Sequence, residues 1–172
     1  MNKLKLIAFA SVLCFLTSCD PDNELEWFPG TSRYVSNVDF NMTSSQQIPA
    51  NSSTATGSIY GTYDRKTKTF SYTIEWQNLS SNIATNGIHI HGIADRGANA
   101  IPAGPIASYP GGVVQTVQGV VTSQRTGKIS TSLYVDGVAV REQDLLGGKF
   151  YIDIHTVNFP GGEIRGQILF PQ

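Results

Sequence analysis

The chain has 172 residues, 40% hydrophobic and 15% charged, with Lys+Arg 12 against Asp+Glu 13 for a formal net charge of -1. That balance suits one globular domain and excludes a disordered chain, and singly scattered basic residues leave no electrostatic footprint for nucleic acid. With 17 Gly and 8 Pro and no heptad pattern, the composition predicts an all-β domain of strands and turns.

At the N-terminus Lys3 and Lys5 precede an uncharged, mostly apolar run from Leu6 to Leu16, which Thr17, Ser18 and Cys19 close. The run is shorter than the ~20 residues a spanning helix needs, so it reads as a signal peptide. Its end resembles the bacterial lipobox. This predicts a lipoprotein signal peptide over residues 1–18 and a membrane anchor through an acyl chain on Cys19. Cleavage there discards Cys14 and leaves no intramolecular disulfide. Asp20, Pro21, Asp22, Glu24 and Glu26 make residues 19–32 an acidic flexible tether. Acidic residues behind the Cys also resemble lipoprotein sorting signals, which gives the address as the Gram-negative cell envelope, as a surface-exposed outer-membrane lipoprotein.

Residues 33–172 read as one domain. Val38, Phe40 and Met42 alternate with polar neighbours; Ile59, Tyr60 and Tyr63 follow; Phe70, Tyr72, Ile74 and Trp76 then form the clearest half-buried strand face. Asp64, Arg65, Lys66 and Thr67 supply the hairpin turn before it. A loop over 80–87 leads to a strand over Ile88 to Ile93. The Gly- and Pro-rich stretch from Ala94 to Gly112 is too long for a simple hairpin. Strands are predicted over Val113 to Val121, Lys128 to Val135, Lys149 to Thr156 and Gly162 to Phe170. Asp136-Gly137 marks a turn, and Arg141 to Leu146 one helical turn stopped at Gly147-Gly148. About eight short strands predict a Greek-key sandwich or barrel.

All three histidines fall in two of these strands. In Gly87-Ile88-His89-Ile90-His91-Gly92 the imidazoles stand at i and i+2, on one face and about 7 Å apart, while the isoleucines enter the core. His155 lies on the polar face of Phe150 to Thr156. If the strands are neighbours, His89, His91 and His155 can form a three-nitrogen site suited to copper or zinc. The alternative is that they hydrogen-bond loop backbone and organise the fold. Asp153 is a candidate acceptor for a ring N–H, or an ordinary exposed strand carboxylate. No G-x-S-x-G is present, and Asp95, Asp144, Asp153 and Glu163 are far apart in sequence, so neither a serine hydrolase nor a carboxylate pair is expected.

Gly87 to Gly92, Leu145 to Gly148, Tyr151 to Thr156 and Phe159-Pro160-Gly161-Gly162-Glu163-Ile164-Arg165-Gly166-Gln167-Ile168 together resemble the CHRD domain family, over roughly Ser36 to Phe170. The early acidic motif of that family is degraded here to Gln47-Ile48-Pro49-Ala50. The resemblance implies an immunoglobulin-like or barrel domain and no particular reaction. Within the C-terminal motif, Glu163 and Arg165 are read as structural, sharing a strand face, with Arg165 partly buried against a carboxylate or strand carbonyls. More distantly, His89, His91 and His155 resemble three copper-ligating histidines of copper/zinc superoxide dismutases. The histidines for a zinc half and the disulfide cysteines of those enzymes are missing.

Two readings follow. The first is a lipid-anchored, non-enzymatic binding or structural module that contacts an extracytoplasmic protein or glycan and requires no cofactor. The second is a mononuclear copper or zinc protein using His89, His91 and His155, with an open position that would allow redox chemistry.

Overall fold

A computed structural model describes residues 33–35, 41–101 and 110–170. The signal peptide, Cys19 and the tether lie outside the described residues. From Arg33 on, the described residues belong to one compact unit. They form β1 (Arg33–Val35), β2 (Asn41–Thr43), β3 (Thr56–Asp64), β4 (Thr69–Gln77), β5 (Ile83–Gly92), β6 (Val113–Thr116), β7 (Gly127–Tyr134), β8 (Phe150–Thr156) and β9 (Ile164–Ile168). The one α-helical turn, α1, spans Glu142–Leu146.

The strands make one sheet in the order β6-β5-β8-β9-β2-β3-β4-β7, with β1 added beside β3. Every ladder is antiparallel. The sheet curls into a nearly closed barrel, so of the two expected architectures the barrel is the one formed. Its seam lies between β6 and β7, where side chains replace a backbone ladder. Gln115 of β6 accepts from the Tyr72 hydroxyl at 2.7 Å and donates to the Ser132 carbonyl of β7 at 2.8 Å. Counting across that seam, strands β5 to β8 run in the order 8-5-6-7, a Greek key.

Alternation decides what fills the barrel. Phe70, Tyr72, Ile74 and Trp76 are buried along β4, as the period-2 pattern requires. Ile88 and Ile90 from β5, Phe150, Ile152 and Ile154 from β8, and Ile164 and Ile168 from β9 join them in the same core. The hairpin before β4 forms because the Asp64 carboxylate accepts from the Lys66 and Thr67 amides at 2.9 and 3.3 Å.

Two boundaries differ from the sequence reading. The segment expected as a loop over 80–87 already pairs at Ile83, opposite Thr156 on β8, and an irregularity before Ile88 carries Asn86 at positive φ. Pairing across a bulge breaks the alternation by which a strand is recognised. Conversely, the strand expected to reach Val121 ends at Thr116. Val117 turns its amide to the Ile88 carbonyl, and Gly119 then takes a φ of 78°.

Glu163 sits just ahead of β9 and is wholly buried. Its carboxylate accepts from Ser53 Oγ at 2.6 Å, the Ser80 amide at 2.8 Å, Ser80 Oγ at 3.0 Å and Thr156 Oγ1 at 2.6 Å. Four donors fill a carboxylate's acceptor sites, which is how a charge survives burial. Glu163 therefore ties two loops and the end of β8 together, in a network separate from that of Arg165.

Trp76 is 3% exposed, and its indole N–H donates to the Gln124 carbonyl at 3.0 Å. Trp76→Ala should cost about 3–5 kcal/mol in urea unfolding, since it removes a large core side chain and orphans that carbonyl. A loss below about 1 kcal/mol would show that the face is not the core.

Candidate metal centre

Strands β5, β8 and β9 are consecutive in the sheet, and their register lines up the polar residues in rows. His89 stands opposite Asp153, which stands opposite Arg165; His91 stands opposite Tyr151, which stands opposite Gln167. The isoleucines between them fill the barrel, so this polar face is its outside. It is nevertheless largely buried, and residues 94–100, which follow β5, lie against its Tyr151, Arg165 and Gln167. Tyr151 packs with Ala94 and Ala100 in a cluster apart from the main core. Gln167 donates to the Ala94 carbonyl at 3.0 Å, and the Ala100 amide donates to the Tyr151 hydroxyl at 3.3 Å.

The three histidines converge on this covered face. Ring centroids are 5.5 Å apart for His89 and His91, 5.0 Å for His89 and His155, and 6.5 Å for His91 and His155. Loop carbonyls orient two of the rings. The Gly111 carbonyl lies 2.9 Å from His91 Nδ1, and the Pro160 carbonyl 2.9 Å from His155 Nδ1. A carbonyl can only accept, so each Nδ1 carries the proton and each Nε2 is left with a free lone pair. The expectation that histidines bond loop backbone thus holds for these two rings. Those bonds leave the opposite nitrogens available as ligands.

Asp153 is buried, at 5% exposure, so of the two readings of it the exposed strand carboxylate is the one that fails. Alternation identified its face correctly; the three imidazoles stand around it on that face. Its Oδ1 lies 3.2 Å from His91 Nε2, 3.1 Å from His155 Nε2 and 3.9 Å from His89 Nδ1. Asp153 therefore sits among the nitrogens and not behind one of them. All four atoms are buried and none makes an aligned hydrogen bond, yet all lie within 4.8 Å of one another. Donors placed tetrahedrally about 2.0–2.1 Å from one ion are roughly 3.3–3.4 Å apart; the separations of Asp153 from His91 and His155 are close to this, and that from His89 is wider.

The electrostatics fit a tight cluster. Burial pushes the Asp153 carboxyl up, but the His155 and His91 rings outweigh it and hold the group at about 2. Burial pushes His155 down, and the Asp153 carboxylate more than reverses this, leaving it raised. His89 is lowered, first by burial and then by the neighbouring rings, against the pull of Asp153. His89 keeps 21% of its side chain exposed, the largest share of the four, so access from solvent is on its side.

Arg165 was expected to be partly buried, and it is 2% exposed. It donates to the Ala98 carbonyl at 2.8 Å and to Asn99 Oδ1 at 3.2 Å, and its guanidinium lies 3.4 Å from the centre of the Tyr151 ring. The position of Asp153 among the ring nitrogens and that of Tyr151 against His91 were the features missed from the sequence. The only signal for them was their alternation with the buried residues of β8.

In chelator-treated protein the Asp153–His155 pair, counted once, should give a two-sided pH profile. Asp153, depressed to about 2, contributes stability above its ordinary value near 4 and loses it as pH falls towards 2. His155, raised, contributes below about 6.5 and loses its share as pH rises through its folded value. Asp153→Asn should flatten the acid limb of urea midpoint against pH; an unchanged limb would place the charge elsewhere.

A family model described as CHRD domain matches residues 38–168, which is most of the chain. Nothing matches among curated proteins or solved structures, so the more distant likeness to superoxide dismutases finds no support there.

Proposed function

The chain belongs to the CHRD domain family, and we propose that it is a metal-binding module holding one zinc or copper ion between His89, His91, Asp153 and His155. The observation that carries this reading is the set of four buried donor atoms, unsatisfied by hydrogen bonds, within 4.8 Å of one another. Unpaired buried polar groups cost about 1–3 kcal/mol each, and a metal cation can satisfy the ring nitrogens and the carboxylate at once. Imidazole with carboxylate suits zinc and copper, and no thiolate or thioether stands in the set.

Four protein donors complete a tetrahedron, so the ion fastens strands and does not activate a substrate through an open position. The module is accordingly non-enzymatic in this reading. Its lipid anchor rests on the Lys3 and Lys5 region, the apolar run and Cys19, which together support display from the cell envelope. A protein or glycan partner would be met by the remaining sheet surface.

Titration of the purified protein should show saturable uptake of one equivalent of Zn(II) or Cu(II), and competition between the two identifies the resident ion. Alanine at any of His89, His91, Asp153 or His155 should weaken binding by about a hundredfold or more, and affinity should fall as pH drops through the histidine range near 6.5. Absence of one-to-one uptake, or equal affinity in all four variants, overturns the reading.

For the anchor, Cys19→Ala should leave the protein unacylated and move it from the membrane to the soluble fraction. A variant that still sediments with membranes refutes attachment through Cys19.

A further inference from the structure

One ligand of the proposed centre, His91, is held from two directions, and only one of them is a hydrogen bond. Its edge meets the Gly111 carbonyl. Its face lies on Tyr151, with ring centroids 4.9 Å apart and planes 9° from parallel. The opposite face of Tyr151 carries Arg165, whose Cζ is 3.4 Å from the ring centre. The three planar groups form a continuous stack: guanidinium, phenol, imidazole.

The outer member of the stack is fixed. Arg165 is 2% exposed. It donates to the Ala98 carbonyl at 2.8 Å, to Asn99 Oδ1 at 3.2 Å and to Gln167 Oε1 at 3.3 Å. Among the described residues none of these acceptors is a carboxylate. A buried guanidinium with only neutral acceptors is not held by ion pairing, so burial here serves its plane and its position. Its strand neighbour across the β8–β9 ladder is Asp153, so the cation also stands one strand from the carboxylate donor.

Resting on the metal-binding reading, we infer that Arg165 is a positioning residue of the centre, acting through Tyr151: it clamps that ring against His91 and so fixes the plane in which His91 Nε2 points. A ligand ring free to rotate about χ2 samples orientations in which its lone pair misses the ion, and groups around a metal's ligands set affinity by removing that freedom. Lysine cannot substitute, because an ammonium has no plane to stack and cannot hold the same forked contacts.

The test compares Arg165→Lys, Tyr151→Leu and Tyr151→Phe with wild-type protein. Zn(II) affinity is measured by chelator competition, and the visible spectrum of the Co(II)-loaded protein reports ligand geometry independently of fold stability. Arg165→Lys and Tyr151→Leu should each weaken Zn(II) binding by about ten- to a hundredfold and shift the Co(II) bands. Tyr151→Phe, which keeps the ring and loses only the hydroxyl, should stay near wild type in both. If Arg165→Lys fails to fold, the contrast between Tyr151→Leu and Tyr151→Phe decides the matter. Lower thermal stability in Arg165→Lys and Tyr151→Leu with unchanged Zn(II) affinity and Co(II) spectrum would make the stack purely structural and overturn the inference, leaving the metal reading intact. Wild-type protein that takes up neither Zn(II) nor Co(II) overturns both.

Discussion

Strand β8 is buried on both faces, and most of what is distinctive in this domain follows from that constraint. A strand with one wet face can leave charges to water. Here Phe150, Ile152 and Ile154 fill the barrel, while on the other face Tyr151 and Asp153 are buried and His155 is half-buried. Each polar group on the covered side must find a partner within the protein or cost several kcal/mol. Most do. Gln167 reaches two carbonyls, Arg165 reaches a carbonyl and two amide oxygens, and the Tyr151 hydroxyl accepts an amide. The exceptions are Asp153 and the histidine nitrogens around it.

Two buried carboxylates in the same fold make the contrast sharp. Glu163 has four hydrogen-bond donors and needs nothing further. Asp153 is as deeply placed, but its Oδ1 faces nitrogens whose geometry does not give it a hydrogen bond. The chain can satisfy a buried carboxylate with serine and threonine hydroxyls, and around Asp153 it has placed imidazoles. The difference in neighbours, not in burial, separates a structural acid from a candidate ligand.

The alternation in β4 and β8 was legible in the sequence because period-2 burial depends on nearest neighbours alone. The same pattern put His89, His91 and His155 on polar faces. What it could not give was adjacency. β5 pairs with β8 across more than sixty residues of chain, following the Greek-key order and not the hairpin order that local signals report. Nor could it give coverage: a strand's period says which residues share a face, and nothing about what lies over that face. Asp153 could therefore be read only as an acceptor behind a ring or as an exposed acid, and not as a member of the cluster itself. Glu163 and Arg165 were placed together on one strand face, whereas β9 starts only at Ile164 and the two side chains anchor different loops. The irregularity before Ile88 hid the first half of β5 for a related reason, since three extra residues on that strand break the very alternation being sought.

The pairing of β5 with β8 also bears on how the unfolded chain is constrained. A link from His91 to Asp153 closes a loop of about 60 residues, and a permanent cross-link of that length would remove enough chain entropy to stabilise a fold by roughly 4 kcal/mol. Both cysteines, Cys14 and Cys19, precede residue 33, so no disulfide within residues 33–172 can serve that purpose. An ion shared between the two strands would occupy the place of such a cross-link, with one difference: it would depart when the strands separate. Its contribution would then grow with free metal by about 1.4 kcal/mol for each tenfold rise above the dissociation constant. The rigidity of this barrel would be set by the metal supply around it, where a disulfide would have made it answer to the redox state.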